Sequence, residues 1–192
     1  MQVSKLPEIG LGDDSACIKV YIANRPPLLE YEELEWMKPM TGGEIKSIAD
    51  QTGNHWRKVF NVYAKFVYEL NFKLKQFETA DFSTWQEYRD QRLLQTHSNL
   101  ALLFSPPVLG DKETIHIVMG KGYFKDLGFE PDDIKGMSWE GSVNSDGSEG
   151  DFAIWPEKKL IMCPYFDYRQ LSNIKIEKLV GLVASLTHRF KA

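Results

Sequence analysis

Leu160-Ile161-Met162-Cys163-Pro164-Tyr165-Phe166-Asp167-Tyr168-Arg169 reads as a short buried strand, cut off by a proline, that opens into a loop of aromatic and charged residues. Four apolar residues in a row, without alternation, suit a strand covered on both faces, as in a parallel sheet. Proline cannot donate to the ladder, so the strand ends at Cys163. Three other apolar runs stop in the same way. Cys17 to Ala23 runs into Asn24-Arg25-Pro26-Pro27, Leu100 to Phe104 into Ser105-Pro106-Pro107, and Ile115 to Met119 into Gly120-Lys121-Gly122-Tyr123. Together they predict a parallel sheet with one working edge, where loops at the carboxyl ends of the strands gather the chemistry.

Helical patterns lie between these strands. Trp56, Val59, Phe60, Tyr63, Val67 and Leu70 recur at three- and four-residue spacings and predict a helix with one buried face. Ser83-Thr84-Trp85-Gln86 resembles a capping box that opens a second helix to about Gln95. A short helix runs from Gly122 to Leu127 and stops at Gly128. A last helix starts near Ser172 or Asn173 and carries Ile176, Leu179, Val180, Val183 and Phe190 on one face. Leu28 to Met40 reads as an acidic short helix, and Glu44 to Gln51 as a helical turn after the Lys38–Gly43 break. Met137–Val143 and Phe152–Trp155 read as a hairpin around Asn144-Ser145-Asp146-Gly147. Residues 1–15 read as a flexible arm. The segment between the strand ending at Phe104 and the strand starting at Ile115 is too short for a long crossover helix, so pairing those two strands in parallel would demand a compressed connection. The fold class expected is α/β: a three-layer α/β/α sandwich with a central, mainly parallel four-stranded sheet, in one domain spanning 1–192.

Composition narrows the functional classes. At 192 residues and 43% hydrophobic, the chain can bury a core without staples. A formal net charge of -4 gives no global field for nucleic acid or an anionic membrane surface. Cys17 and Cys163 fall at opposite ends of predicted strands, which argues against a disulfide, and two cysteines cannot make a four-cysteine metal site. His55, His97, His116 and His188 are scattered without ligand spacing, so no metal is expected. Gly120-Lys121-Gly122 and Thr41-Gly42-Gly43 are too short for a phosphate-binding fingerprint, and no cofactor is expected either. Met1 to Gly12 lacks the apolar core of a signal peptide, and no apolar run nears the roughly 20 residues that span a bilayer, so the reading is a cytoplasmic protein with no membrane partner.

The residues at the strand ends are the site candidates: Asn24, Arg25, Glu30, Ser105, Cys163, Tyr165, Tyr168 and Arg169. Their order carries a family resemblance. Ile22-Ala23-Asn24-Arg25-Pro26-Pro27 resembles a worn form of the G-E-A-P-G first motif in one branch of the uracil-DNA glycosylase superfamily, with Glu30 where that branch often has an acidic residue. Lys38-Pro39-Met40-Thr41-Gly42 resembles the P-F-V-G segment. Gly53-Asn54-His55-Trp56-Arg57-Lys58-Val59 resembles the helix opening that follows, after an insertion. Cys163-Pro164-Tyr165-Phe166-Asp167-Tyr168-Arg169 resembles H-P-S-x-x-x-R in its proline and arginine.

The resemblance implies a three-layer fold with a nucleobase-sized pocket. In that family the first motif handles the attacking water, an asparagine after the second strand reads the base, and the last motif's histidine stabilises the departing base. Here Asn24 is not a base, Ser105 stands where the asparagine would, and Cys163 replaces the histidine. A thiol is a weak donor, and losing one preorganised donor costs about 10²–10³ in rate. The branch's four-cysteine cluster is absent too. The expectation is therefore a diverged pocket that binds a nucleobase, nucleotide or nucleic acid without ordinary uracil excision. Asn24, Glu30 and Cys163 would be the catalytic remnants, with Arg25, Ser105, Tyr165, Tyr168 and Arg169 as ligand contacts. Two alternatives stand beside it: a divergent base-excision glycosylase or hydrolase, and a non-enzymatic module that meets a protein partner through its acidic Glu30–Glu35 face.

Overall fold

The computed structural model describes residues 7–75, 77, 79, 81–140 and 150–188. One mixed eight-stranded sheet carries the fold. Its strands in chain order are β1 (Gly10–Gly12), β2 (Ile18–Tyr21), β3 (Met37–Lys38), β4 (Leu100–Leu103), β5 (Ile115–Met119), β6 (Ser138–Glu140), β7 (Phe152–Trp155) and β8 (Leu160–Cys163). Across the sheet they lie in the order β3-β1-β4-β2-β5-β8-β7-β6. The four runs singled out by their proline or glycine stops, β4, β2, β5 and β8, are neighbours and run parallel.

The expected four-stranded sheet is thus too small. β1 adds antiparallel to β4 and β3 adds parallel to β1, while β7 and β6 extend the far side as antiparallel strands. The expected arm is also corrected from residue 7 onward. Gly10-Leu11-Gly12 is wedged between β3 and β4, with Leu11 fully buried. A Cβ on Gly10 would meet the Leu102 carbonyl oxygen at 2.3 Å, so only glycine lets the two backbones approach this closely. β4 and β5 are not adjacent. β2 lies between them, parallel to both, and residues 104–114, which hold no helix, make a compressed crossover from the end of β4 to the start of β5.

Among the described residues there are six α-helices, α1 (Leu29–Glu32), α2 (Glu44–Thr52), α3 (Asn54–Leu74), α4 (Trp85–Gln91), α5 (Lys121–Asp126) and α6 (Asn173–His188), and a 3-10 turn at Pro156–Lys158. The acidic Leu28–Met40 segment is a single helical turn followed by edge strand β3, and Glu44–Thr52 is a full helix. The cap of α4 sits one residue later than expected. The Thr84 hydroxyl accepts the Glu87 N–H at 3.2 Å while the Glu87 carboxylate takes the Ser83 N–H at 2.9 Å, and the helix ends at Gln91. The hairpin pairs Ser138–Glu140 with Phe152–Trp155; its expected tip at 144–147, like Phe190 of the last helix, lies outside the described residues.

Alternation along the parallel strands divides the core in two. Ile18, Val20 and Ile22 of the β2 segment, with Leu100, Leu102, Ile117, Ile161 and Cys163, pack under α2, α3 and α6. Tyr21, Ala101, Leu103, Val118, Leu160 and Met162 face the opposite way, toward α5 and the segment that follows it. This arrangement leaves the carboxyl ends of β4, β2, β5 and β8 along one edge, beside the amino end of α3.

Candidate functional site

At that edge an open cleft of about 550 Å³ lies between the end of β2 and the α2–α3 junction. Asn24, Arg25 and Pro27 come from the loop after β2. Thr52, His55 and Trp56 come from the junction, and Glu32 from the end of α1. The volume falls in the range of small-molecule sites. Gly53, with φ +82°, turns the chain between α2 and α3 and sets His55 on the first turn of α3.

The polar centre of the site joins three elements. The Tyr165 hydroxyl, two residues past β8, lies 3.0 Å from Nε2 of His55. The Asn24 side chain acts on the same hydroxyl, pulling its pKa down. The two rings lie with centroids 5.6 Å apart, and His55 meets Trp56 edge-on at 5.8 Å. Burial pushes the Tyr165 phenol up to about 12, against this opposing pull. Tyr165 therefore stays protonated at neutral pH and can donate.

Several candidates have other work. One guanidinium nitrogen of Arg25, Nη1, donates to the carbonyls of Tyr31, Glu32 and Leu34 at 3.2, 2.7 and 2.8 Å, closing the carboxyl end of α1. The group also lies 5.5 Å from the Phe104 ring centroid. Arg25 thus forms a wall of the cleft with its charge already engaged by backbone. Ser105 is likewise committed, its hydroxyl oxygen accepting the Ile9 N–H at 3.1 Å to hold the chain before β1.

Cys163 faces the core under α3 and α6, fully buried, and burial pushes its thiol far above the ordinary range. Its thiolate is inaccessible at neutral pH, so a helper role at the cleft does not fit this placement. Glu30 does not line the cleft; its carboxylate is exposed, 3.9 Å from Lys38. Glu32, two residues on, lines it instead. The acidic segment around them is rigidly seated: Tyr31 is buried with its hydroxyl donating to Glu44 at 2.7 Å, while Leu29 and Trp36 are exposed at its two ends.

Tyr168 and Arg169 form a separate group. Tyr168 is exposed, with the Lys58 ammonium 5.0 Å and the Arg169 guanidinium 5.9 Å from its ring. Lys58 also pairs with Asp167 at 2.7 Å, and Asp167 accepts the Arg169 N–H at 3.0 Å. Phe166 is buried against Tyr63 and Phe66. The loop after β8 is thereby anchored; Tyr165 meets the cleft through its hydrogen bond to the lining residue His55, and neither Tyr165 nor Tyr168 lines it.

The expected set therefore divides. Asn24, Arg25 and Tyr165 come together; Glu30, Ser105, Cys163, Tyr168 and Arg169 do not join them. Reading the sequence for a histidine after β8 overlooked His55, which reaches the same neighbourhood from α3. The visible signal was its place in the Gly53-Asn54-His55-Trp56 helix opening. Among the described residues, no group of three or more His, Cys, Asp or Glu could hold a metal ion, and no helix is long and apolar enough to cross a membrane.

No curated protein and no solved structure matches the chain. Residues 9–184, from just before β1 into α6, match the model described as "Family of unknown function (DUF6942)", and the chain belongs to that family.

Proposed function

We propose that the cleft at the end of β2 binds a planar, nucleobase-like ligand, as a base, nucleoside or nucleotide, on a diverged uracil-DNA glycosylase-like fold, without ordinary uracil excision. The observation that carries this reading is the Tyr165–His55 hydrogen bond, with Asn24 and His55 lining an open cleft of about 550 Å³ at the carboxyl edge of the parallel strands. An amide, a phenol and an imidazole are suited to reading the edge of a heterocycle, and ligands in open α/β sheets gather at this edge. Burial of Cys163 and exposure of Glu30 away from the cleft speak for binding over excision.

The test is thermal stabilisation by free nucleobases, nucleosides and nucleotides, with Tyr165→Phe alongside. A ligand at about 100 times its Kd adds about 2.7 kcal/mol to stability. Binding by the wild type that weakens about tenfold or more in Tyr165→Phe supports the reading, since the phenylalanine keeps the ring and removes its bond to His55. Silence across the panel, or binding indifferent to Tyr165, rejects it.

A further inference from the structure

The segment before β3 holds all of the protein's excess charge. Residues 26–37 carry four glutamates and no lysine or arginine, as many as the formal net charge of -4, so the rest of the chain is balanced. Glu30, Glu32, Glu33 and Glu35 are all exposed. Lys38 lies 3.9 Å from Glu30 but is bonded to Glu44, and Glu32, Glu33 and Glu35 make no salt bridge among the described residues. Two large apolar side chains stand out of the same segment. Leu29 is 67% and Trp36 62% exposed, whereas the other four tryptophans are buried or half-buried.

The backbone that displays them is held firmly. Nη1 of Arg25 donates to the carbonyls of Tyr31, Glu32 and Leu34, the side chains of Tyr31 and Leu34 are buried, and the Trp36 carbonyl accepts the Gly10 N–H at 3.3 Å. A surface set in advance lowers the ordering cost of binding. Tryptophan is among the residue types that most often anchor an interface, and carboxylates around it attract cations and repel polyanions. Nucleic acid and anionic lipid are therefore poor partners here. β3 is two residues long and is followed by Pro39, which has no N–H, so this edge offers a partner little backbone pairing and recognition falls to side chains. We propose that residues 29–36 are a docking surface for a protein partner, whose lysine- or arginine-rich segment pairs with the four glutamates while its apolar side chains cover Leu29 and Trp36. The surface stands apart from what the cleft binds, although Glu32 borders both.

The experiment titrates the full chain into a fluorescein-labelled peptide of leucine and lysine at helical spacing, read by fluorescence anisotropy, beside the same peptide with glutamate for every lysine. Two variants address the surface: Trp36→Ala, and Glu33→Lys with Glu35→Lys, all at exposed side chains whose backbone bonds are kept. Two more serve as controls. Phe72→Ala removes an aromatic side chain of similar exposure on α3, and Asp132→Lys with Asp133→Lys changes the net charge by the same amount at another exposed place. The lysine peptide binds and the glutamate peptide does not; each surface variant weakens binding about tenfold or more, and the controls stay within about twofold. Absence of binding by the lysine peptide overturns the proposal, as does equal loss in the Asp132 and Asp133 control, which would make net charge the cause. Self-association of the wild type in sedimentation, abolished by Trp36→Ala, would make a second copy of the chain the occupant and overturn the basic partner.

Discussion

The phenolic oxygen of Tyr21 lies 2.6 Å from Nδ1 of His116, joining neighbouring parallel strands β2 and β5 on the α5 side of the sheet. The rings are stacked, with centroids 5.7 Å apart, and both residues are almost fully buried. Burial pushes the Tyr21 phenol well up, so it stays protonated and donates. His116 is therefore neutral, with Nε2 enclosed and without a hydrogen-bond partner among the described residues.

Burial first, and then the Lys19 ammonium, pull His116 down from 6.5 to about 4, against a smaller opposing pull from Asp111. Above pH 6.5 the group is neutral in both folded and unfolded chains and contributes no pH dependence. As pH falls from 6.5 toward 4, the unfolded chain takes up a proton that the folded protein refuses, and stability drops by about 3 kcal/mol. Urea unfolding at pH 7 and pH 4 measures the fall, and His116→Gln removes this share of it. An unchanged slope in the variant would show that His116 is not the group responsible.

Gly10 and Gly122 make a matched contrast. A Cβ at Gly10 meets backbone of β4 at 2.3 and 2.8 Å, whereas a Cβ at Gly122 meets nothing within 4 Å. Gly10→Ala is expected to cost about 3 kcal/mol and to loosen β1. Gly122→Ala, within α5, is expected to be neutral or stabilising by up to about 1 kcal/mol. Denaturant titration gives both numbers, and amide exchange at Leu11 and Leu102 shows whether β1 has left the sheet.

Cys163 is expected to be inert toward a thiol reagent such as Ellman's in the native protein, while both cysteines react once the chain is unfolded. Cys163→Ser buries a hydroxyl among apolar neighbours and should cost about 1–3 kcal/mol. Rapid native labelling at Cys163, mapped by mass spectrometry, would contradict its placement under α3 and α6.

Much of the frame was legible in the chain. β2, β4, β5 and β8 announce themselves as unbroken apolar runs stopped by proline or glycine, and α3 and α6 by their periodic faces. β1 and β3 were not legible: Gly10-Leu11-Gly12 and Met37-Lys38 have no strand character of their own and are extended because their neighbours in the sheet supply the hydrogen bonds. Part of the site was lost for a related reason. Which of Glu30 and Glu32 lines the cleft depends on the phase of one turn of helix, set by Arg25 holding its carbonyls. Cys163 follows strand alternation, sharing the buried face of Ile161, and yields the site to Tyr165 beyond the proline.

The grip of Arg25 on three carbonyls carries a warning for anyone scanning this cleft by mutation. A cation at the rim of a pocket invites replacement in the hope of reading ligand charge. Here the first thing lost would be the end of α1, and with it the position of Glu32. Weakened binding in an Arg25 variant would report a displaced wall, and only a companion measurement of folding could tell that apart from a lost contact.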